Sequence, residues 1–149
     1  MTSVVAFTVD DIHLAVAATQ VQELLRAVLV TPLPGAPRDV IGAIDLRGQV
    51  IAVVDLAPRL GRPLRGVRIT DHFLICAAGN ATLAIRADRV DELTSIEPSE
   101  LADAPADAEP WVRVLARKPD GLILICDLER LLADGDFEQL ARALAKARA

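Results

Sequence analysis

Apolar residues along this chain gather in short runs, and the runs come in pairs separated by turn-forming residues. "VVAFTV" (residues 4–9) and "IHLAVA" (12–17) flank Asp10-Asp11 and predict a hairpin. "ATQVQELL" sets Val21, Leu24 and Leu25 at helical spacing, which predicts a short turn of helix. "TPLPGAP" (31–37) holds three prolines and predicts a loop. "VIGAIDLR" and "QVIAVVDL" then predict two strands joined at Arg47-Gly48, with a short helix beginning at "APRL". A second set follows. "DHFLICAA" and "ATLAIRA" surround Gly79-Asn80, residues that tolerate a hairpin turn. "VDELTSI" is the next strand, and "EPSELADAPADAEP" (97–110) reads as an acidic loop rich in Pro and Ala. "WVRVLAR" and "LILICDL" surround the turn Pro119-Asp120-Gly121. In the tail, Phe137, Leu140, Ala141 and Leu144 share one face, predicting an amphipathic helix over 134–148 with Asp134 or Asp136 as its cap.

The pattern repeats. "HLAVAATQVQEL" (13–24) aligns without gaps on "TLAIRADRVDEL" (82–93) at an offset of 69, and "VVDL" (53–56) parallels "ICDL" (125–128) at an offset of 72. Two copies of a unit of about 70 residues are too few and too long for a solenoid. They predict two small β-barrels, each a mostly antiparallel sheet that curls to remove its edges.

Composition narrows the class. The chain has 149 residues, enough for one domain or for two small subdomains sharing a core. Its 52% hydrophobic content excludes a disordered chain. With 3% aromatic residues and no Tyr, the core must rest on Val, Leu, Ile and Ala. No apolar run reaches the roughly 18 residues of a membrane span. The start lacks the basic and long apolar segments of a secretory signal, so a cytosolic location is expected. A net charge of −5 argues against a general nucleic-acid binder, which needs a basic footprint. Residues 58–68, "PRLGRPLRGVR", hold four arginines and read either as a solvated loop or as a partner-facing basic one. Cys76 and Cys126 sit inside apolar runs without metal spacing, which predicts buried structural thiols.

Chemistry-bearing motifs are scarce. His13 and His72 belong to no HExxH pattern, and there is no GxSxG, P-loop or GxGxxG. Without a nucleophile–base constellation the chain reads as a binding module rather than an enzyme, with no cofactor or metal expected. What stands out is polar residues in apolar surroundings. Glu23 has a mate in Glu92 across the repeat. Asp55 and Asp127 each precede a short helical run and read as helix caps. Gly48 suits a tight turn. Arg47 offers a planar five-donor fork. It reads as an exposed turn residue, as an anchor at a protein interface, or as the partner of Glu23 beside a groove.

These stretches together resemble the CheW-like family. "VIGAIDLRGQVIAVVDLAPRLG" resembles the family's signature region, "VQELL" with "TPLPGAP" its Val-x-Glu segment and Pro-rich link, "AIRADRVDEL" its second-half segment, and "LILICDLERLL" its closing strand and helix. The resemblance runs from about residue 4 to 132. It implies a mostly β fold, two intertwined five-stranded SH3-like barrels with short helices and a C-terminal helix. As one CheW-like domain over 1–149, the subdomains would be roughly 18–82 and 1–17 plus 83–133. It implies a stand-alone, non-catalytic adaptor coupling the cytoplasmic tips of chemoreceptors (methyl-accepting chemotaxis proteins) to the regulatory domain of the histidine kinase CheA. Alternatively, it implies a scaffold of a parallel array for pilus motility or gene regulation. Such an adaptor is monomeric in solution, joins arrays through its partners, and neither inserts into membranes nor binds nucleic acid. Val21, Glu23, Gly42, Arg47 and Gly48 match the receptor-contact segments. Three positions depart from the pattern: Asp45 stands for the usual Asn, Ala52 for Pro and His13 for a frequent Tyr. Asp45 is expected either to pair with Arg47 or to turn away the usual receptor tip.

Overall fold

The computed structural model describes residues 2–133 together with Leu140 and Leu144, with the side chain of Glu92 left aside. The tail helix expected over 134–148 therefore lies outside the described residues, apart from those two leucines. Leu144 is buried in the main core and Leu140 packs against it.

Four hairpins form where the turn chemistry places them. β1 (Thr2–Val9) and β2 (Ile12–Ala17) meet at Asp10-Asp11, both left-handed with φ of 46° and 65°. This is the backbone a two-residue hairpin turn needs. β4 (Val40–Leu46) and β5 (Gln49–Val54) meet at Arg47-Gly48. β6 (His72–Ala78) and β7 (Ala81–Ala87) meet at Gly79-Asn80, and β10 (Val112–Lys118) and β11 (Gly121–Cys126) at Pro119-Asp120. β8 (Arg89–Ile96) follows β7 directly, and α1 (Leu128–Leu132) follows β11.

Two local expectations change, and a third is met as a 3-10 turn. The helix predicted at "ATQVQELL" is a 3-10 turn, Ala18–Gln20, and then a strand, β3 (Val21–Arg26). Val21, Glu23 and Leu25 are half-buried while Gln22, Leu24 and Arg26 are exposed, so the working period is two. Antiparallel pairing with β6, from Val21↔Cys76 to Arg26↔His72, outweighs the local spacing. The short helix expected at "APRL" is present as a 3-10 turn over Pro58–Leu60. The acidic loop contains structure: a 3-10 turn, Pro98–Glu100, closed by a reciprocal capping box between Glu97 and Glu100, and a short strand, β9 (Leu101–Asp103).

The strands form two sheets, ordered β8-β1-β2-β11-β10-β9 and β3-β6-β7-β5-β4. The first has six strands rather than five because β9 joins its edge. Each sheet takes strands from both repeats, and the ladders repeat in register. Ala52↔Leu83 and Val53↔Ala84 join β5 to β7 in parallel; shifted by the two repeat offsets, these become Leu124↔Leu14 and Ile125↔Ala15, which join β11 to β2 in parallel. Even the bulges recur, between Val21 and Glu23 on one side and between Val5 and Phe7 on the other, and likewise at Val40/Gly42 and Val112/Val114. Sheet membership changes over the 18–20 turn and at Asp88, so the expected division after residue 82 falls within β7. The main apolar cluster, including Phe7, Leu14, Val54, Leu74, Leu83, Ile85, Trp111 and Leu131, draws on both sheets and on α1. Leaving water stabilises each such side chain by about 1.5–3 kcal/mol.

Candidate functional site

The candidate site is built on the turn between β4 and β5. Arg47 and Gly48 have φ of 50° and 86°. The left-handed conformation costs a residue with a Cβ roughly 1–2 kcal/mol, so Arg47 is held there by its surroundings. One holding contact is the Gly48 N–H, which donates to Asp45 Oδ1 at 2.8 Å. Asp45 thus binds the turn backbone and does not pair with the Arg47 guanidinium.

Arg47 instead reaches β3. Its two terminal nitrogens donate to the two Glu23 oxygens, Nη1 to Oε1 at 3.1 Å and Nη2 to Oε2 at 2.5 Å. This is the bidentate fork that guanidinium and carboxylate form best. Arg47 is both the exposed turn residue and the partner of Glu23 that the sequence allows. Hydrogen bonding to Arg47 holds the Glu23 carboxyl below its ordinary pKa, and the carboxylate in turn raises Arg47. β3 and β4 are the outermost strands of their sheet order, so this pair ties its two ends together. Arg47 stays 69% exposed and Glu23 29%.

The other expected site residues are placed around this pair. Val21 is half-buried at the start of β3, packed on the main core, and Gly48 is exposed in the turn. Gly42 is buried. The chain leaving β3 returns to β4 at Thr31, where the Thr31 N–H donates to the Ala43 carbonyl at 2.9 Å and the Ala43 N–H to the Thr31 carbonyl at 2.8 Å. A Cβ at residue 42 would stand 2.1 Å from that Thr31 oxygen, so only glycine lets the link settle there. Gly42 therefore supports the edge from beneath rather than lying on it.

Asp127 caps α1, its side chain accepting from the Arg130 N–H at 3.2 Å. Asp55 has a different main partner. It accepts from the Ala57 N–H at 2.9 Å, just ahead of the 3-10 turn, and from Arg86 Nε at 2.8 Å, with both charged side chains 1% exposed. Arg86 also meets Asp71 and Asp88, and Arg65 bridges the same two carboxylates. Burial raises the pKa of Asp71 and Asp88. The arginines, with the Arg68 N–H on Asp71 and the Asp10 N–H on Asp88, more than offset this and hold both carboxyls low. The arginine-rich loop is thus neither simply solvated nor simply offered to a partner. Arg59 pairs with Asp39, Arg62 with Asp10 and Asp11, and Arg65 with Asp71 and Asp88.

No sequence motif singles out Arg86, Asp71 and Asp88. The available signal was an arginine inside the apolar run "ATLAIRA", at a position where the other repeat has Ala17. Cys76 and Cys126 are buried, and burial pushes both thiols up to about 12. His13 and His72 are half-buried on different sheets.

A family model described as CheW-like domain matches residues 3–136. The chain is 27% identical to a chemotaxis protein CheW of Rhizobium meliloti (strain 1021), over 76% of this chain and 73% of that one. It is 31% identical to Protein FrzA of Myxococcus xanthus, over 66% of this chain and 62% of the relative. The crystal structure of the scaffolding protein TtCheW from Thermoanaerobacter tengcongensis has the same fold, with a TM-score of 0.79, 24% identity, and coverage of 91% of this chain and 94% of that one.

Proposed function

The chain belongs to the CheW-like domain family, and on that premise we propose that it is a non-catalytic signalling adaptor. It couples the cytoplasmic tip of a chemoreceptor to the regulatory domain of the histidine kinase CheA. The observation that carries the receptor half of this reading is the exposed Glu23–Arg47 fork. An ion pair on the surface adds little to stability, so stability alone is a poor reason to hold an arginine in a left-handed turn. A guanidinium already oriented by Glu23 keeps further N–H donors facing outward. It would meet a receptor helix without first losing the freedom of a loose side chain. Val21, Glu23, Arg47 and Gly48 form this edge, and Gly42 acts by letting the segment at Thr31 pack beneath it. A contact below about 1,200 Å² suits a transient partner, which fits a monomer in solution that joins receptor arrays at the cytoplasmic face of the membrane.

Replacing Arg47 by glutamate sets a carboxylate against Glu23 and removes the fork. Binding to a receptor-tip fragment should fall at least about thirtyfold, the loss expected for an interface hot spot. The circular dichroism spectrum and the affinity for the kinase regulatory domain should stay unchanged. An unaltered receptor affinity would take Arg47 out of this role. A second reading is a scaffold of a parallel non-flagellar array. Preferential binding to receptor tips of such an array would establish it.

A further inference from the structure

Arg47 combines two things that oppose each other. Its backbone is left-handed, a conformation side chains with a Cβ avoid, and its guanidinium spans from the β4–β5 turn to Glu23 on β3. Rotation of Arg47 into an ordinary conformation would redirect its Cα–Cβ bond and carry the guanidinium away from Glu23. The residue best placed to prevent this is Asp45. It is exposed, next to the buried Ile44 on β4, so its side chain serves no core. Its Oδ1 accepts the Gly48 N–H at 2.8 Å, three residues on, which closes a ring around Arg47. A short polar side chain that accepts a nearby backbone N–H is a known way to stabilise a turn.

We propose that Asp45 is a positioning residue for the docking edge: by holding the Gly48 N–H it keeps Arg47 in the left-handed conformation from which the guanidinium reaches Glu23. The local half of this inference stands on geometry alone. Its consequence for binding rests on the docking role proposed above. What the position requires is an acceptor oxygen at the second atom beyond Cβ, not a charge. Asparagine supplies that oxygen and alanine does not.

The test compares the full chain with Asp45→Ala and Asp45→Asn. Three quantities are followed: the titration midpoint of the Glu23 carboxyl by NMR, the exchange rate of the Gly48 amide, and the affinity for a receptor-tip fragment of the source organism. In Asp45→Ala the Glu23 midpoint should move up toward the ordinary carboxylate value. The Gly48 amide should exchange faster, and receptor affinity should fall about fivefold, the usual net worth of one hydrogen bond. Asp45→Asn should restore all three. A merely structural role would leave the Glu23 midpoint where it is. The inference is overturned if Asp45→Ala leaves the Glu23 midpoint and Gly48 exchange as they were, or if Asp45→Asn fails as fully as Asp45→Ala. Should the Glu23 and Gly48 signals move while neither Asp45→Ala nor Arg47→Glu changes receptor affinity, the positioning role holds and the docking role fails. Should Arg47→Glu abolish binding while Asp45→Ala changes nothing, the docking role holds and the positioning role fails.

Discussion

At Gly42 one methyl group is enough to disturb the edge. The Cβ of Gly42→Ala would overlap the Thr31 carbonyl, which is backbone and has little room to yield. Overpacking of this kind costs about 1–3 kcal/mol, to be read as a lower midpoint in urea unfolding. Arg86→Met has a larger expected effect. It leaves Asp55 fully buried without its guanidinium and removes a cation from Asp71. Breaking a buried pair from one side costs about 3–5 kcal/mol, and Arg86→Met combined with Asp55→Leu should recover part of that loss in the same unfolding measurement. The two thiols make the opposite case. Cys76 and Cys126, buried and pushed up to about 12, should react with a thiol reagent in native protein no faster than the protein opens. Both should react at once in denaturant.

Element by element, the hairpins were readable because each carries its turn chemistry within a few residues, as at Asp10-Asp11 and Gly79-Asn80. β3 was not, because Val21, Leu24 and Leu25 fit a helical period as well as a strand. Its partner β6 lies far along the chain and decides between them, leaving Leu24 49% exposed. β9 was hidden for a similar reason, since three residues in an acidic loop become a strand only by pairing with β10. The candidate edge was half legible. Arg47 and Glu23 each stood out, but that they meet follows from the sheet bringing its terminal strands together, which no local pattern encodes. The buried network around Arg86 was the least legible part, because Asp55 lies 31 residues away and Arg65 and Asp71 enter from a loop. That network pins the loop between β5 and β6, and it gives the fold an acid limit. Asp71 and Asp88 have folded pKa values below the unfolded value of about 3.9. The folded state therefore binds their protons more weakly. Their contribution is present above about pH 4 and is lost as pH falls through the folded values. The thermal midpoint should drop steeply below that point, and Asp88→Asn should flatten the drop.

At the scale of the described molecule the duplication is kept in strand order and ladder register, apart from the added β9, and is loose in side chains. Registers and bulges recur at the two repeat offsets, yet Arg86 aligns with Ala17 in the repeat, and among the described residues the Asp55 network has no match at Asp127. Arg86 on β7 and Glu23 on β3 belong to the same sheet, β3-β6-β7-β5-β4, and Asp55, Asp71 and Asp88 adjoin the ends of its strands. The receptor edge proposed above lies on this sheet, which leaves the other sheet for the proposed kinase contact. The most direct test of that claim is a calorimetric titration in which the full chain, already saturated with a receptor-tip fragment, is titrated with the regulatory domain of the CheA-type kinase from the same organism. The account predicts that the kinase domain binds the loaded protein at least as tightly as the free one, with a ternary complex at the end point. Displacement of the receptor fragment by the kinase domain, or no heat from the kinase domain at all, would contradict it.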